Sequence, residues 1–341
     1  MRSVRSTLGI AAMSLVAACA SDSLPTTPTS PETTPATVSF DRQGNDGGSD
    51  GESDHSHGHE LRGSPNLNFA RLRTGGGSGI SFHGGAVLSG GTKVAAIYWA
   101  PTTIYNGGPT PGSTGAGSSD NSLVGYFMNH LGGSPYFNIN TTYTNSAGTP
   151  IANIVNYTQY WANNTSAPVG SQTVTDAQMI AMLQAGFNSG MLTYDPNTLF
   201  AIFTAGTVNL GGGFGTQYCA YHTHGTVKIN NVSKTVLYAA MPYNAGHASA
   251  CSAGAAPNGD VGADAEVNTL AHEIEETTTD MMGNAWFDSR GYENADKCAW
   301  NFGTTFSAGG SVANIVVGGK NFLVQQNWVN SGSGGCVQHW P

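Results

Sequence analysis

Positive charge is what this chain most lacks. Only 12 of its 341 residues are Lys or Arg, against 21 Asp or Glu, and charged residues of both signs make up 10% of the whole. Without a basic surface, the counterion release that drives nucleic-acid binding has no source, so the composition excludes a nucleic-acid partner. Long apolar runs are missing too. After the N-terminal "LGIAAMSLVAAC" no segment approaches the roughly 20 residues that a transmembrane helix needs. No repeat recurs at a solenoid period, and no CxxC pair is present. What is there, 39% hydrophobic residues and 47 Gly, suffices for one large domain or two small ones.

The N-terminus reads as an export signal. Arg2 and Arg5 precede a short apolar run that ends at "VAAC", Val16 to Cys19, which resembles the bacterial lipobox. Residues 1–19 are thus expected to be a lipoprotein leader with Cys19 the lipidated residue. That predicts an exported protein of the bacterial cell envelope or outer membrane, which meets a membrane only through its N-terminal anchor. Residues 20–78 run through a Pro/Thr spacer and an acidic Gly/Ser tract with His55, His57 and His59, and read as a disordered linker whose histidines capture metal loosely at most.

The globular part is expected over 79–341. "KVAAIYWA", "TLFAIFTA" and "VLYAAMPY" are short apolar runs bordered by Gly, Pro or Asn, the pattern of buried strands. Helical candidates interleave with them. One is "NSLVGYFMNHL"; another is "VTDAQMIAMLQAGF", which Thr175 and Gln178 open as a capping box. "NIVVGGKNFLVQQNWV" predicts a hairpin across Gly-Gly-Lys-Asn. The class is α+β, a mixed α/β single domain around a central sheet. Setting Cys19 aside leaves Cys219, Cys251, Cys298 and Cys336, an even set in an exported chain. Three connectivities are open; the sequential pairs close the shorter loops, and a four-cysteine zinc site is the weaker rival.

"LAHEIEETTTD", Leu270 to Asp280, carries the chemistry. Val267, Leu270, Ala271 and Ile274 form one apolar helical stripe, and a turn of about 100° per residue puts His272 and Glu276 within about 40° of each other away from it. Glu273, Glu275, Glu276 and Asp280 crowd that side without a Lys or Arg on the helix, a repulsive arrangement that a cation relieves. This resembles the zincin signature with Glu276 in the place of the second histidine and Glu273 in that of the general base. Glu293 lies twenty-one residues after His272. Its place resembles that of the third zinc ligand of thermolysin-like gluzincins, and Asp296 the acid that holds the first histidine by its other nitrogen. The carboxylate-rich set leaves zinc, manganese and calcium open.

"FHGGAVLSG", "YCAYHTH", "APNGDVGAD", "LAHEIEE", "NAWF" and "ENADKC" together resemble the phosphate-induced protein 1 family, which includes the plant EXORDIUM proteins and bacterial secreted relatives. The resemblance implies an extracellular or wall-associated protein; no agreed reaction attaches to the family, and the lipobox and stalk depart from the plant pattern. His222 and His224 in "YCAYHTH" would share one strand face, either as structural histidines or as accessories to the site. Asn258, Asp260 and Asp264 read as a helix cap or as a calcium loop. Two functions follow. The first is a metal-dependent hydrolase, most simply peptidase-like, in which His272, Glu276 and Glu293 hold a divalent ion and Glu273 takes the proton. The second is a non-catalytic protein that binds an extracellular peptide or cell-wall polymer.

Overall fold

The computed structural model describes residues 60–62 and 79–341. The expected leader with Cys19 and the histidines His55, His57 and His59 lie outside the described residues. In chain order the elements are β1 (Glu60–Arg62), β2 (Ser81–Phe82), β3 (Thr92–Trp99), β4 (Thr114–Ala116), α1 (Leu123–Leu131) and β5 (Val155–Trp161). Next come α2 (Asp176–Ser189), β6 (Thr198–Thr204), β7 (Tyr218–Ile229), β8 (Val232–Met241), α3 (Ala248–Cys251) and α4 (Val261–Thr279). Short strands finish the chain: β9 (Trp286–Phe287), β10 (Phe306–Ala308), β11 (Ser311–Ala313), β12 (Ile315–Val317), β13 (Lys320–Phe322), β14 (Asn327–Val329) and β15 (Gly335–Val337).

A seven-stranded sheet in the order β1-β7-β8-β6-β3-β5-β4 carries the fold, a mixed α/β domain as the sequence predicts. Its centre is parallel: β3 pairs with β5 and β6, and β6 with β8. Parallel strands are covered on both faces, which is why β3 and β6 are apolar without alternation. Within β3 the side chains still divide by parity. Val94, Ala96 and Tyr98 meet α1 and α4 in one core, while Ala95, Ile97 and Trp99 meet α2 in another. The strand Glu60–Arg62 falls within the stretch read as linker and extends the sheet beyond β7.

Local signals hold where they are strongest. Thr175 accepts from Gln178 N while Gln178 Oε1 accepts from Thr175 N, completing the capping box of α2, and Gly190 ends the helix at φ 73°. The hairpin near the C-terminus turns on Gly318–Gly319 alone. Val317 pairs with Lys320, so Lys320 and Asn321 already belong to β13 rather than to the turn. Both glycines have positive φ, 60° and 93°, as a two-residue turn between twisted strands demands. Cys219 pairs with Cys251 and Cys298 with Cys336, the sequential connectivity. Among the described residues no helix is long and apolar enough to cross a membrane.

Helix α4 is the centrepiece. Val267, Leu270, Ala271 and Ile274 pack against Leu199, Ala201, Leu237 and Ala239 of the sheet, as the stripe predicts. The opposite side, read as presenting an imidazole and carboxylates, is not a surface. Every residue from Gly262 to Thr279 is buried. The reason is tertiary: the C-terminal segment lies across it. Asn327 Nδ2 donates to Glu275 Oε2 at 2.6 Å, Gln325 N to Asn268 Oδ1 at 2.7 Å, and Asp296 N to Glu276 Oε1 at 2.9 Å. At the helix start Asp260 caps Ala263 N, and Asp264 accepts from both nitrogens of Asn258, so these three side chains are engaged in a capping arrangement.

Two turns before His272, Glu266 is a buried acid facing Tyr105 and Asn244. It accepts from Asn244 N at 3.1 Å on Oε2, while Oε1 has no hydrogen-bond partner. Burial raises its pKa from 4.5 to about 8, against the smaller opposing pull of the Asn244 amide and the nearby Tyr105 hydroxyl. The folded chain therefore holds a proton that the unfolded chain releases, and this group's contribution to stability falls as pH rises from about 4.5 to about 8. The expected result is that Glu266→Gln stabilises the protein relative to wild type by on the order of 3 kcal/mol at pH 7, with the gap closing toward pH 5. Denaturant melts across that range check it, and a gap independent of pH would show the reading to be wrong.

Candidate metal centre

Three elements bring the donors together. β7 supplies His222, α4 supplies His272, Glu273 and Glu276, and the loop entering the short turn Asp296–Cys298 supplies Glu293 and Asp296. His272, Glu273, Glu276 and Glu293 are fully buried, and His222 is 2% exposed. Two sets of donor atoms converge: His222 with Glu276 and Glu293, and His272 with Glu276 and Asp296. Glu276 belongs to both. Its Oε1 lies 3.0 Å from His272 Nε2, and its Oε2 lies 3.6 Å from His222 Nε2. His222 Nε2 is 3.3 Å from Glu293 Oε2, and His272 Nε2 is 3.7 Å from Asp296 Oδ1.

These separations test the fit of an ion. Tetrahedral donors about 2.0–2.2 Å from a zinc-like ion stand roughly 3.3–3.6 Å from one another. Direct charge-assisted hydrogen bonds would instead draw nitrogen and oxygen to about 2.7–2.9 Å. Two of the four spacings, 3.3 and 3.6 Å, fall on the ligand edge and the 3.7 Å one lies just beyond it, all longer than a charge-assisted hydrogen bond. The 3.0 Å approach joins His272 Nε2 to Glu276 Oε1, which already accepts from Asp296 N at 2.9 Å, while His272 Nε2 and Glu276 Oε2 have no hydrogen-bond partner. Both atoms are buried, so leaving them unsatisfied is costly unless a cation takes their lone pairs. Two imidazoles among the donors favour a transition ion such as zinc or manganese over calcium, which takes oxygen ligands.

Protons and metal compete here. Burial opposes charge on His222, but Glu293 and Glu276 outweigh it and raise its pKa well above the usual histidine value. Burial alone would raise Glu276; His272 first and His222 next pull it down to about 2. Asp296 goes the other way, raised by burial and then by the charges of Glu276 and Glu293. The cluster thus keeps protons in the interior that a divalent ion would displace.

The orientation of His272 differs from the gluzincin analogy. Its Nδ1 is met by Gln325 Nε2 at 2.8 Å, not by Asp296, which lies on the Nε2 side with the candidate donors. The same amide nitrogen donates to Ala295 O at 3.0 Å while Oε1 accepts from Trp300 N at 3.4 Å. If Nδ1 accepts from Gln325, a neutral ring would carry its proton on Nε2; to hold an ion at Nε2 the ring would need that proton on Nδ1, with the Gln325 amide oxygen facing it. His272, Glu276 and Glu293 all lie in the cluster, with Glu293 on the His222 side. Glu273 is close enough for its charge to raise Asp296. His224, two residues along the same strand, is exposed and outside both donor sets. Reading the sequence left His222 as an accessory and overlooked Gln325 altogether. Nothing near Gln325 in the chain marks it, since its partner His272 is 53 residues away.

Fold and site together define an α/β domain with a buried histidine–carboxylate centre inside a disulfide-stapled frame. The chain belongs to the phosphate-induced protein 1 family, whose conserved region matches residues 129–325 and so takes in both donor sets. No curated protein matches the chain, and no solved structure does.

Proposed function

We propose that this chain is an exported domain that holds one divalent transition-metal ion, most simply zinc, as an internal brace between β7, α4 and the Asp296–Cys298 turn. The observation that carries the reading is Glu276, a buried carboxylate whose two oxygens face two imidazoles, one on its own helix and one on the sheet. His222, His272, Glu276 and Glu293 would hold the ion, with Asp296 beside them. Structural sites of this kind are closed, whereas catalytic ones keep a position open to water. The burial of His222, His272, Glu276 and Glu293 favours the brace. Binding to an extracellular peptide or wall polymer is then the working activity, with Cys19 as the lipid anchor.

A metal-dependent hydrolase is the second reading, favoured by Glu273, which follows His272 on the helix and lies within electrostatic reach of Asp296. Metal analysis of the purified protein together with Glu273→Gln separates the two. The expected result is one ion per chain in both proteins, with unchanged thermal stability. Loss of a peptidase activity in Glu273→Gln with its ion retained would instead establish the catalyst, and a wild-type chain that purifies and dialyses without metal would remove both. The anchor has its own check. Cys19→Ala is expected to move the protein from the membrane to the soluble fraction, and unchanged membrane retention would refute it.

A further inference from the structure

The outer edge of β7 is built to receive a strand. β8 pairs with β7 from Tyr221 onward, Tyr221 opposite Ala240 through Ile229 opposite Val232, and so covers only one side of it. On the other side lies β1, antiparallel, with Glu60 opposite Tyr221, Leu61 opposite Ala220 and Arg62 opposite Tyr218. This is a minimal strand. It has three residues, its register shifts between Leu61 and Arg62, and in sequence Gly58 precedes it and Gly63 and Pro65 follow it, residues that stop a strand from lengthening. Its Cα trace also passes within 8 Å of α4 and of the Asp296–Cys298 turn. β1 therefore runs over the junction of the three elements that carry the donors, one residue before His222 in the β7 register.

The receiving edge is stiff. Cys219 is tied to Cys251, and Tyr218 Oη donates to Gly211 O at 2.9 Å, so the backbone groups of Tyr218–Tyr221 are preorganised whether or not β1 is in place. A rigid edge that offers main-chain groups to a short strand is the geometry of strand addition, in which backbone hydrogen bonds supply affinity and alternate side chains supply selectivity. We propose that the β7 edge from Tyr218 to Tyr221 is a strand-addition site, and that the chain's own Glu60–Arg62 occupies it as a removable strap. The site recognises an extended peptide backbone, and it does so without regard to an ion in the centre.

The test uses the full chain with a specific protease site inserted between Gly75 and Gly76, cut only after folding. The probe is a fluorescent peptide of residues 55–66. A tethered strap competes at high effective concentration, so the cut protein is expected to bind the probe at least tenfold more tightly than the uncut protein. Hydrogen exchange on an uncut Leu61→Pro chain supplies a second reading. The amides of Tyr218–Tyr221 are expected to exchange at least tenfold faster while those of Phe200–Phe203 in the central strand stay protected. Equal probe binding before and after cutting, or unchanged protection at Tyr218–Tyr221, overturns the proposal. So does loss of protection in the central strand, which would make β1 an integral part of the fold. All measurements are made in chelator, so their failure is separate from failure of the metal assignment.

Discussion

Glu276→Gln is expected to strip the centre of its ion, with a loss of affinity of at least about 100-fold, while Glu293→Gln and Asp296→Asn each cost about tenfold. The ranking follows from geometry. Glu293 and Asp296 each belong to one donor set, whereas Glu276 closes both. Its replacement removes the charge that faces His272 and His222 together. A wild-type chain saturated at about a thousand times its dissociation constant gains about 4 kcal/mol, so chelation should lower its melting temperature by on the order of 10 °C. The Glu276→Gln protein should show almost no such shift. Titration with zinc, followed by scanning calorimetry in metal and in chelator, reads both effects. Wild-type affinity in Glu276→Gln would sink the assignment; a chelator-sensitive melting point in all three variants would move the ion elsewhere.

Removal of the Cys219–Cys251 disulfide by a double alanine replacement should cost about 4 kcal/mol, the chain-entropy value for its separation of 32 residues. Domain stabilities are commonly about 5–15 kcal/mol, so this single change consumes a large share. The expected loss exceeds that of the loop alone in one respect. Cys219 sits three residues before His222 on β7, and releasing it loosens the strand that carries one imidazole. Metal affinity should therefore fall as well. For Cys298–Cys336, which spans 38 residues, a similar loss is expected, with the slackening placed at Asp296 instead. Denaturant unfolding of both double variants, with and without metal, measures the two contributions. A Cys219→Ala/Cys251→Ala protein with unaltered unfolding midpoint and metal affinity would show that neighbouring packing alone holds β7.

Much of the frame was legible because its causes are local. The capping box depends on residues three apart, and the apolar runs of β3, β6 and β8 announce burial on two faces by lacking alternation. The stripe on α4 needs only the helical repeat, and it packs on the sheet as expected. An even number of cysteines in a chain whose N-terminus reads as an export signal already pointed to disulfides, though spacing alone left the connectivity open.

The rest was decided by contacts far apart in sequence. That the polar side of α4 is interior depends on the segment from Asp296 to Asn327 lying across it, and no helical periodicity encodes what a later segment will cover. His222 enters the donor set through a residue 71 positions away, and Gln325 reaches His272 across 53. The chain alone determined which residue types were present to bind a cation and which helix carried them. Which nitrogen of each ring faces the carboxylates, which acid is shared between the two sets, and which strand covers the β7 edge were determined only when the loops closed. Side-chain direction at such a centre follows from packing, and packing does not exist until distant segments meet.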